Sequence, residues 1–190
     1  MNIFILDNDP VKAAQLQCDK HVVKMIVETA QLLSTAHRML DGKLETRLSK
    51  SGRKQKYYAL DGTAEDTFYR ACHHNHPSNI WARESKANYQ WLYKHFTALC
   101  DEYTYRYGKM HATDTKLRYV LNATPRNIPN SDLTPFRLAM GSNPECIDNN
   151  DPVGSYRKFY QTKQDRFKMA WTKRNIPEWF NVNSKGAIAA

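Results

Sequence analysis

Three side chains of complementary chemistry stand at i, i+3 and i+7 in the segment CDKHVVKMIVE: His21, Lys24 and Glu28. On a helix this spacing projects them in one direction, so an imidazole, an amine and a carboxylate share a seam. Such a trio can supply an acid or base that titrates near neutrality, and each member's field tunes the others. The competing reading is a structural His–Glu pairing with Lys24 left in solvent.

Other groupings carry weaker signals. Cys72-His73-His74-Asn75-His76 is dense in metal-ligand types, but zinc sites need a second ligand pair, and no C-x-x-C or H-x-x-x-H accompanies it. No metal is expected, and a metal-dependent hydrolase built on His73, His74 and His76 stands only as an alternative. His76-Pro77 reads as a turn ahead of a helix. The segment EYTYRYGKMH, residues 102 to 111, interleaves aromatic and basic side chains. That mixture suits stacking on bases with Arg106 and Lys109 on phosphates, although Tyr103 and Tyr107 fit a helix core equally well. Trp179 could stack on an unstacked base or close the core. Nothing matches a P-loop, a G-x-G-x-x-G or a G-x-S-x-G, which argues against nucleoside triphosphatases and serine hydrolases, and no cofactor is expected.

The elements that must position these groups read as mainly helical. Asp9-Pro10 is a cap followed by a proline at the first helical position, and the pattern continues to about Leu40 before Asp41-Gly42 stops it. Ala14, Cys18, Val22, Met25, Ile26, Thr29, Leu32, Leu33, Ala36 and Leu40 form its apolar face. Leu16, Val23 and Val27 lie opposite, so the helix is expected to be central and covered on both sides. Gln17, Lys20, His21, Lys24, Glu28 and Gln31 form the polar stripe between. Residues 2 to 6 (NIFIL) are a short strand or a buried lead-in. Residues 43 to 58 carry six basic side chains, Lys43, Arg47, Lys50, Arg53, Lys54 and Lys56, against the single acid Glu45. They read as an exposed basic loop able to neutralise phosphates. Further helices are expected from Thr63 to about Ala71, from Ser78 or Ser85 to Tyr107 with Gly108 as its stop, briefly from Thr134 to Met140, and from Asp151 through Trp171 to Pro177. The closing residues 179 to 190 are aromatic, then polar and small, and are expected to fray at the very end.

With 190 residues and 41% apolar content, one domain spanning 1 to 190 is expected. Twenty-eight Lys and Arg against nineteen acids give +9, and the pI is near 9.4, a balance that attracts polyanions. Four scattered cysteines read as reduced thiols of a cytosolic protein. No apolar run approaches the roughly 20 residues that span a bilayer, so a cytoplasmic protein without a membrane partner is expected.

The order of these features resembles the phage and bacterial pyrimidine-dimer DNA glycosylase family, the endonuclease V of ultraviolet repair. The likeness rests on NIFILDNDPVKAAQLQCDKH, on His76-Pro77 followed by a helix ending in RYGK at Arg106 to Lys109, and on IPEWF at Ile176 to Phe180. It implies an all-α fold that kinks duplex DNA, extrudes a nucleotide and cleaves the glycosidic bond with an N-terminal amine and a glutamate on the first helix. Because Asn2 is a large residue, Met1 is expected to be retained and its amine to be the nucleophile. In a rough register the family glutamate falls near His21-Val22, where this chain has no acid. A DNA-acting glycosylase and lyase, or a base-modifying relative, is therefore expected. Catalysis would fall to His21, Lys24, Glu28 and Met1. Lys20, Arg47, Lys50, Arg53, Lys54, Lys56, Arg106, Lys109 and Trp179 would hold duplex DNA. A non-catalytic DNA-binding or host-enzyme-inhibiting phage protein is the alternative from another class.

Overall fold

Asp9 and Pro10 start a helix as their types predict: Asp9 Oδ1 accepts from the N–H groups of Val11 and Lys12 at 2.8 and 3.0 Å. A computed structural model describes residues 1–183, and in it this first helix, α1, is only Pro10–Gln15. A second helix, α2, spans Asp19–Asp41. The continuous helix expected over 10 to 40 is therefore broken, and the break has a physical cause. Four of the backbone groups around it are taken up by distant parts of the chain. Leu16 O accepts from Trp171 Nε1 at 2.9 Å, Gln15 O from Arg106 at 3.1 Å, Cys18 N donates to the Tyr160 hydroxyl at 2.9 Å and Asp19 N to Ala170 O at 2.8 Å. Local periodicity cannot register such partners.

The apolar face read for α2 is buried: Val22, Met25, Ile26, Leu32 and Leu33 are at most 1% exposed. Each contributes about 1.5–3 kcal/mol through burial. The expectation that Val23 would be covered fails, since it is 38% exposed. Farther along, Leu32 to Arg38 are all buried, so α2 dips fully into the interior only in its second half. Residues 2 to 6 form no strand; they run as a lead-in with Ile3, Phe4, Ile5 and Leu6 in the core.

Residues 43 to 58, expected as a loop, are instead a hairpin. Strand β1 (Lys43–Leu48) pairs antiparallel with β2 (Lys54–Ala59), Leu44 opposite Tyr58 and Leu48 opposite Lys54. Its turn is closed by Ser49 and by Gly52, whose φ of +77° suits a residue without a Cβ. Helix α3 is short, Thr63–Thr67, and its Glu65 anchors the hairpin's base. That carboxylate accepts from Arg38, Arg47, the Tyr57 hydroxyl and Leu60 N. Burial alone would raise its pKa, but these donors outweigh it and hold the group at about 2. Arg38, 1% exposed, also donates to the carbonyls of Tyr58, Glu65, Phe68 and Tyr69.

Helices α4 (Pro77–Ala82) and α5 (Lys86–Tyr107) follow; the Ser85 hydroxyl caps α5, and Gly108 ends it at a φ of +68°. Both α1 and α2 pack on α5. Helix α6, Ala112–Leu121, was not foreseen; His111 caps it by accepting from Thr113 N at 3.1 Å. The short helix expected over Thr134 to Met140 is absent. Thr134 instead straps onto the preceding helices, its N–H bonded to Asn88 Oδ1 at 2.9 Å and its carbonyl to Trp81 Nε1 at 3.3 Å. The last helix, α7, covers Pro152–Gln161 and gives way to a 3-10 turn at Thr162–Asp165 rather than running on past Trp171. Residues 184 to 190, the part of the chain expected to fray, lie outside the described residues.

Candidate active site

The buried lead-in carries the start of the chain to the polar seam of α2. Glu28 Oε2 accepts from Asn2 N at 3.1 Å and lies 3.9 Å from the Met1 amine, while Oε1 meets Lys24 Nζ at 3.1 Å. One carboxylate thus faces the terminal amine on one side and a lysine on the other. The Glu28 side chain is 15% exposed and that of Lys24 65%, so the pair opens to solvent on the lysine side. The acid that meets the amine is Glu28, not a residue near His21-Val22. The interruption between α1 and α2 defeats a register counted along one unbroken helix.

Asn2 pins this arrangement. Its Oδ1 accepts from Ile3 N at 2.8 Å and lies 3.2 Å from the Tyr156 hydroxyl, and its Nδ2 donates to Ala139 O at 3.0 Å. The Tyr156 hydroxyl is itself 2.8 Å from Arg137 O. The terminus is therefore held by a segment more than 130 residues away. His76 caps α4, its Nδ1 accepting from Ser78 N at 3.2 Å. Burial lowers its pKa first, the charges of the terminal amine and His73 add to that, and Glu28 opposes them, which places His76 and the amine–carboxylate pair in one electrostatic neighbourhood. The Cys72 thiol, raised chiefly by burial, feels the same two charges.

His21 plays a different part from the one its spacing suggests. It is 6% exposed, packed against Phe4, Tyr160 and Phe167 at ring separations of 4.7, 5.0 and 5.4 Å, and its Nδ1 lies 2.8 Å from the Tyr160 hydroxyl. Desolvation, helped by Lys24 and Lys163, lowers its pKa to about 4. The ring is neutral at pH 7 and does not supply a base that titrates there. Lys163 is 8% exposed, with its ammonium 3.4 Å from the Phe159 ring centroid, and burial ahead of the Arg166 charge brings its pKa down to about 8.

Among the basic residues singled out for DNA, Lys50, Arg53, Lys54, Lys56, Lys109 and Lys20 are exposed. Lys20 sits 4.7 Å over the Phe167 ring. Arg106 is a correction: it is 3% exposed and bound to Glu102 at 2.8 Å, Asp19 at 2.9 Å and Gln15 O at 3.1 Å, so its donors are committed inside the protein. Arg47 is half committed, paired with Glu45 and Glu65 and stacked 3.6 Å over Tyr57. Trp179 is half-buried beside Tyr160 and Phe180 and walls two surface cavities of about 480 and 580 Å³. Its Nε1 finds no partner among the described residues. Those residues also hold no group of three or more His, Cys, Asp or Glu placed to bind a metal ion: the His74 ring faces Tyr58 and His76 is turned to its cap.

Sequence spacing brought Lys24 and Glu28 together correctly but missed Asn2, Tyr156 and Lys163. Only His76 had a local signal, the proline after it, which marks a helix start.

The class of protein these features define is a mainly helical one that combines a backbone-end amine at Met1 held against a helix glutamate with an exposed basic hairpin. The chain belongs to the pyrimidine dimer DNA glycosylase family, whose family model matches residues 1–115. That span includes Met1, Lys24, Glu28, His76 and the hairpin. No curated protein and no solved structure matches the chain. Membership supports a DNA glycosylase-type function with DNA as partner. Among the described residues no helix is long and apolar enough to cross a membrane.

Proposed function

We propose that the protein is a DNA base glycosylase with associated lyase activity, acting on an extruded nucleotide of duplex DNA in the cytoplasm, with the Met1 amine as nucleophile and Glu28 as its partner. The observation that carries this reading is the convergence of the terminal amine, Asn2 N–H and Lys24 on one carboxylate. The amine's lone pair attacks C1′ of the sugar and the C1′–N bond breaks, the base leaving with a proton. Ring opening then gives an imine between C1′ and the amine. Glu28 accepts the proton the ammonium loses, passes it to the departing base and, ionised again, takes one from C2′, so that the 3′ phosphate leaves by β-elimination. Lys24 orients the Glu28 carboxylate, and His21 holds the α2 seam as a neutral, packed ring. Base extrusion gives the amine access to C1′. Contacts from residues 2 to 6 to the segment 137 to 160 support reading the chain as one domain.

The test is borohydride trapping on a duplex with a single abasic site, with intact mass fixing the N-terminal residue and peptide mapping locating the adduct. An adduct on the N-terminal peptide is expected, lost when Gly-Ser is placed before Met1 and slowed about 10²–10⁴-fold in Glu28→Gln. An adduct on Lys20, Lys24 or Lys163 would overturn the nucleophile, and salt-dependent binding without any adduct would favour the non-catalytic DNA-binding alternative.

A further inference from the structure

The two faces of the hairpin differ in what they are committed to. Paired residues share a face, so Lys43, Glu45, Arg47, Gln55, Tyr57 and Ala59 lie on one and Leu44, Thr46, Leu48, Lys54, Lys56 and Tyr58 on the other. The first is spent on the body of the protein, through Tyr57 and Arg47 on Glu65 and Tyr57 under Arg38. The second is unspent. Leu44 and Leu48 are 54% and 67% exposed, and among the described residues Lys54 and Lys56 enter no salt bridge. The sole acid of the hairpin, Glu45, is on the opposite face and paired with Arg47, so this face presents only positive charge among leucines. At its base the Tyr58 ring meets His74 edge-on at 6.1 Å, in the turn that leads to His76 and the amine–Glu28 pair.

We propose that the Leu44–Leu48 face enters the major groove of duplex DNA beside the extruded nucleotide, packing both leucines on thymine methyl groups while Lys54 and Lys56 take flanking phosphates. The inference rests on reading the protein as a DNA glycosylase, and the charge of the face selects the occupant. Two strands about 4.8 Å apart, with side chains, form a ribbon about 10 Å wide. That is too broad for a minor groove of about 6 Å and fits a major groove of about 12 Å, where the C5 methyl of thymine is displayed. From Leu44 to Leu48 the ribbon advances about 13 Å at roughly 3.3 Å per residue, the rise of about four base pairs. Solvent-exposed leucines on a basic ribbon have a use there that they lack in water: a thymine methyl is an apolar partner surrounded by phosphates.

The experiment compares binding to two duplexes, each with a central non-cleavable abasic analogue, identical except that the thymines within four base pairs of it are replaced by uracil in one. Uracil pairs alike and lacks only the methyl. Wild type should bind the thymine duplex more tightly by roughly fourfold for each methyl contacted. Leu44→Ser/Leu48→Ser should bind both alike with an unchanged thermal midpoint, and Lys54→Gln/Lys56→Gln should lower the slope of log affinity against log salt by about 2. Equal binding of the two duplexes by wild type overturns the proposal, as does a thymine preference that survives in the serine variant. Equal affinity for a duplex RNA, whose major groove is too narrow for a ribbon, overturns it too. Borohydride trapping on a single-stranded abasic oligonucleotide separates the two readings. An adduct with no thymine preference removes the groove contact alone, whereas a preference with no adduct removes the glycosylase chemistry and leaves the groove contact standing.

Discussion

Acidification from pH 7.5 to 5 should unfold this protein through three buried histidines, one of them in the polar seam of α2. His21, His37 and His95 are 6%, 7% and 1% exposed, and desolvation lowers each from the usual 6.5 to about 4. All three are hydrogen-bonded, and where the partner is a carbonyl (Pro10 O for His95, Ala123 O for His37) the bond favours the charged ring, but desolvation outweighs it. His95 lies between Pro10 O at 2.9 Å and Gln17 Nε2 at 3.2 Å, and His37 Nε2 lies 3.0 Å from Ala123 O. Because the folded state holds these groups below their unfolded value, the unfolded chain binds protons first as pH falls. Their contribution is complete above about pH 6.5 and is lost on the way down to pH 4. At pH 5 each costs about 2 kcal/mol, and the three together about 6 kcal/mol, comparable to the whole stability of many domains. Glu65, held at about 2, loses its contribution only below its unfolded range near 4.5, so it does not blur the upper window. Urea denaturation at pH 7.5 and 5 measures the loss, and ring-proton titration by NMR assigns it. A midpoint unchanged between these pH values, or a His21 ring titrating between 6 and 7, would refute the argument and return His21 to the list of acid–base candidates.

Other expectations separate structure from substrate contact. Arg106→Met leaves Asp19 and part of Glu102 without their buried partner and should cost about 3–5 kcal/mol, yet leave the salt dependence of DNA binding unchanged, which a fluorescence anisotropy titration would check. Arg38→Met strips Glu65 and four carbonyls of a buried donor; a similar loss is expected, with hydrogen exchange accelerated first in β1 and β2. Asn2→Leu, which keeps a large second residue and so keeps Met1, should leave DNA affinity within twofold but slow imine trapping at least tenfold, because it frees the terminus that Ile3 N, Tyr156 and Ala139 hold in place. Trapping rates equal to wild type would show that the terminus needs no such support.

Much of the site was legible one residue at a time. The i, i+4 spacing of Lys24 and Glu28 is a property of any helix, and so the 3.1 Å pair between them follows from local sequence. Asp9-Pro10, His76-Pro77, Ser85, Gly108 and Asp151-Pro152 likewise marked helix ends, because caps and prolines act through backbone groups within a few residues. The hairpin was missed because its strands are mostly exposed and polar, with no alternation to read; what holds it is Glu65, 8 residues from Tyr57 and 18 from Arg47, and the buried Arg38, 20 residues from Tyr58.

Sequence alone determined the helical class, the basic character and the pairing of a lysine and a carboxylate one helical turn apart. Only the tertiary structure decided which other groups meet them. Ion pairing and solvent access depend on distances across the fold, and the interruption at Leu16 to Cys18 is stabilised by Tyr160, Ala170 and Trp171 rather than by neighbours. That break, with the clamp on Asn2, brings the terminal amine to Glu28, while the aromatic cage that neutralises His21 and the acids that absorb Arg106 withdraw two side chains whose types and spacing had pointed to function.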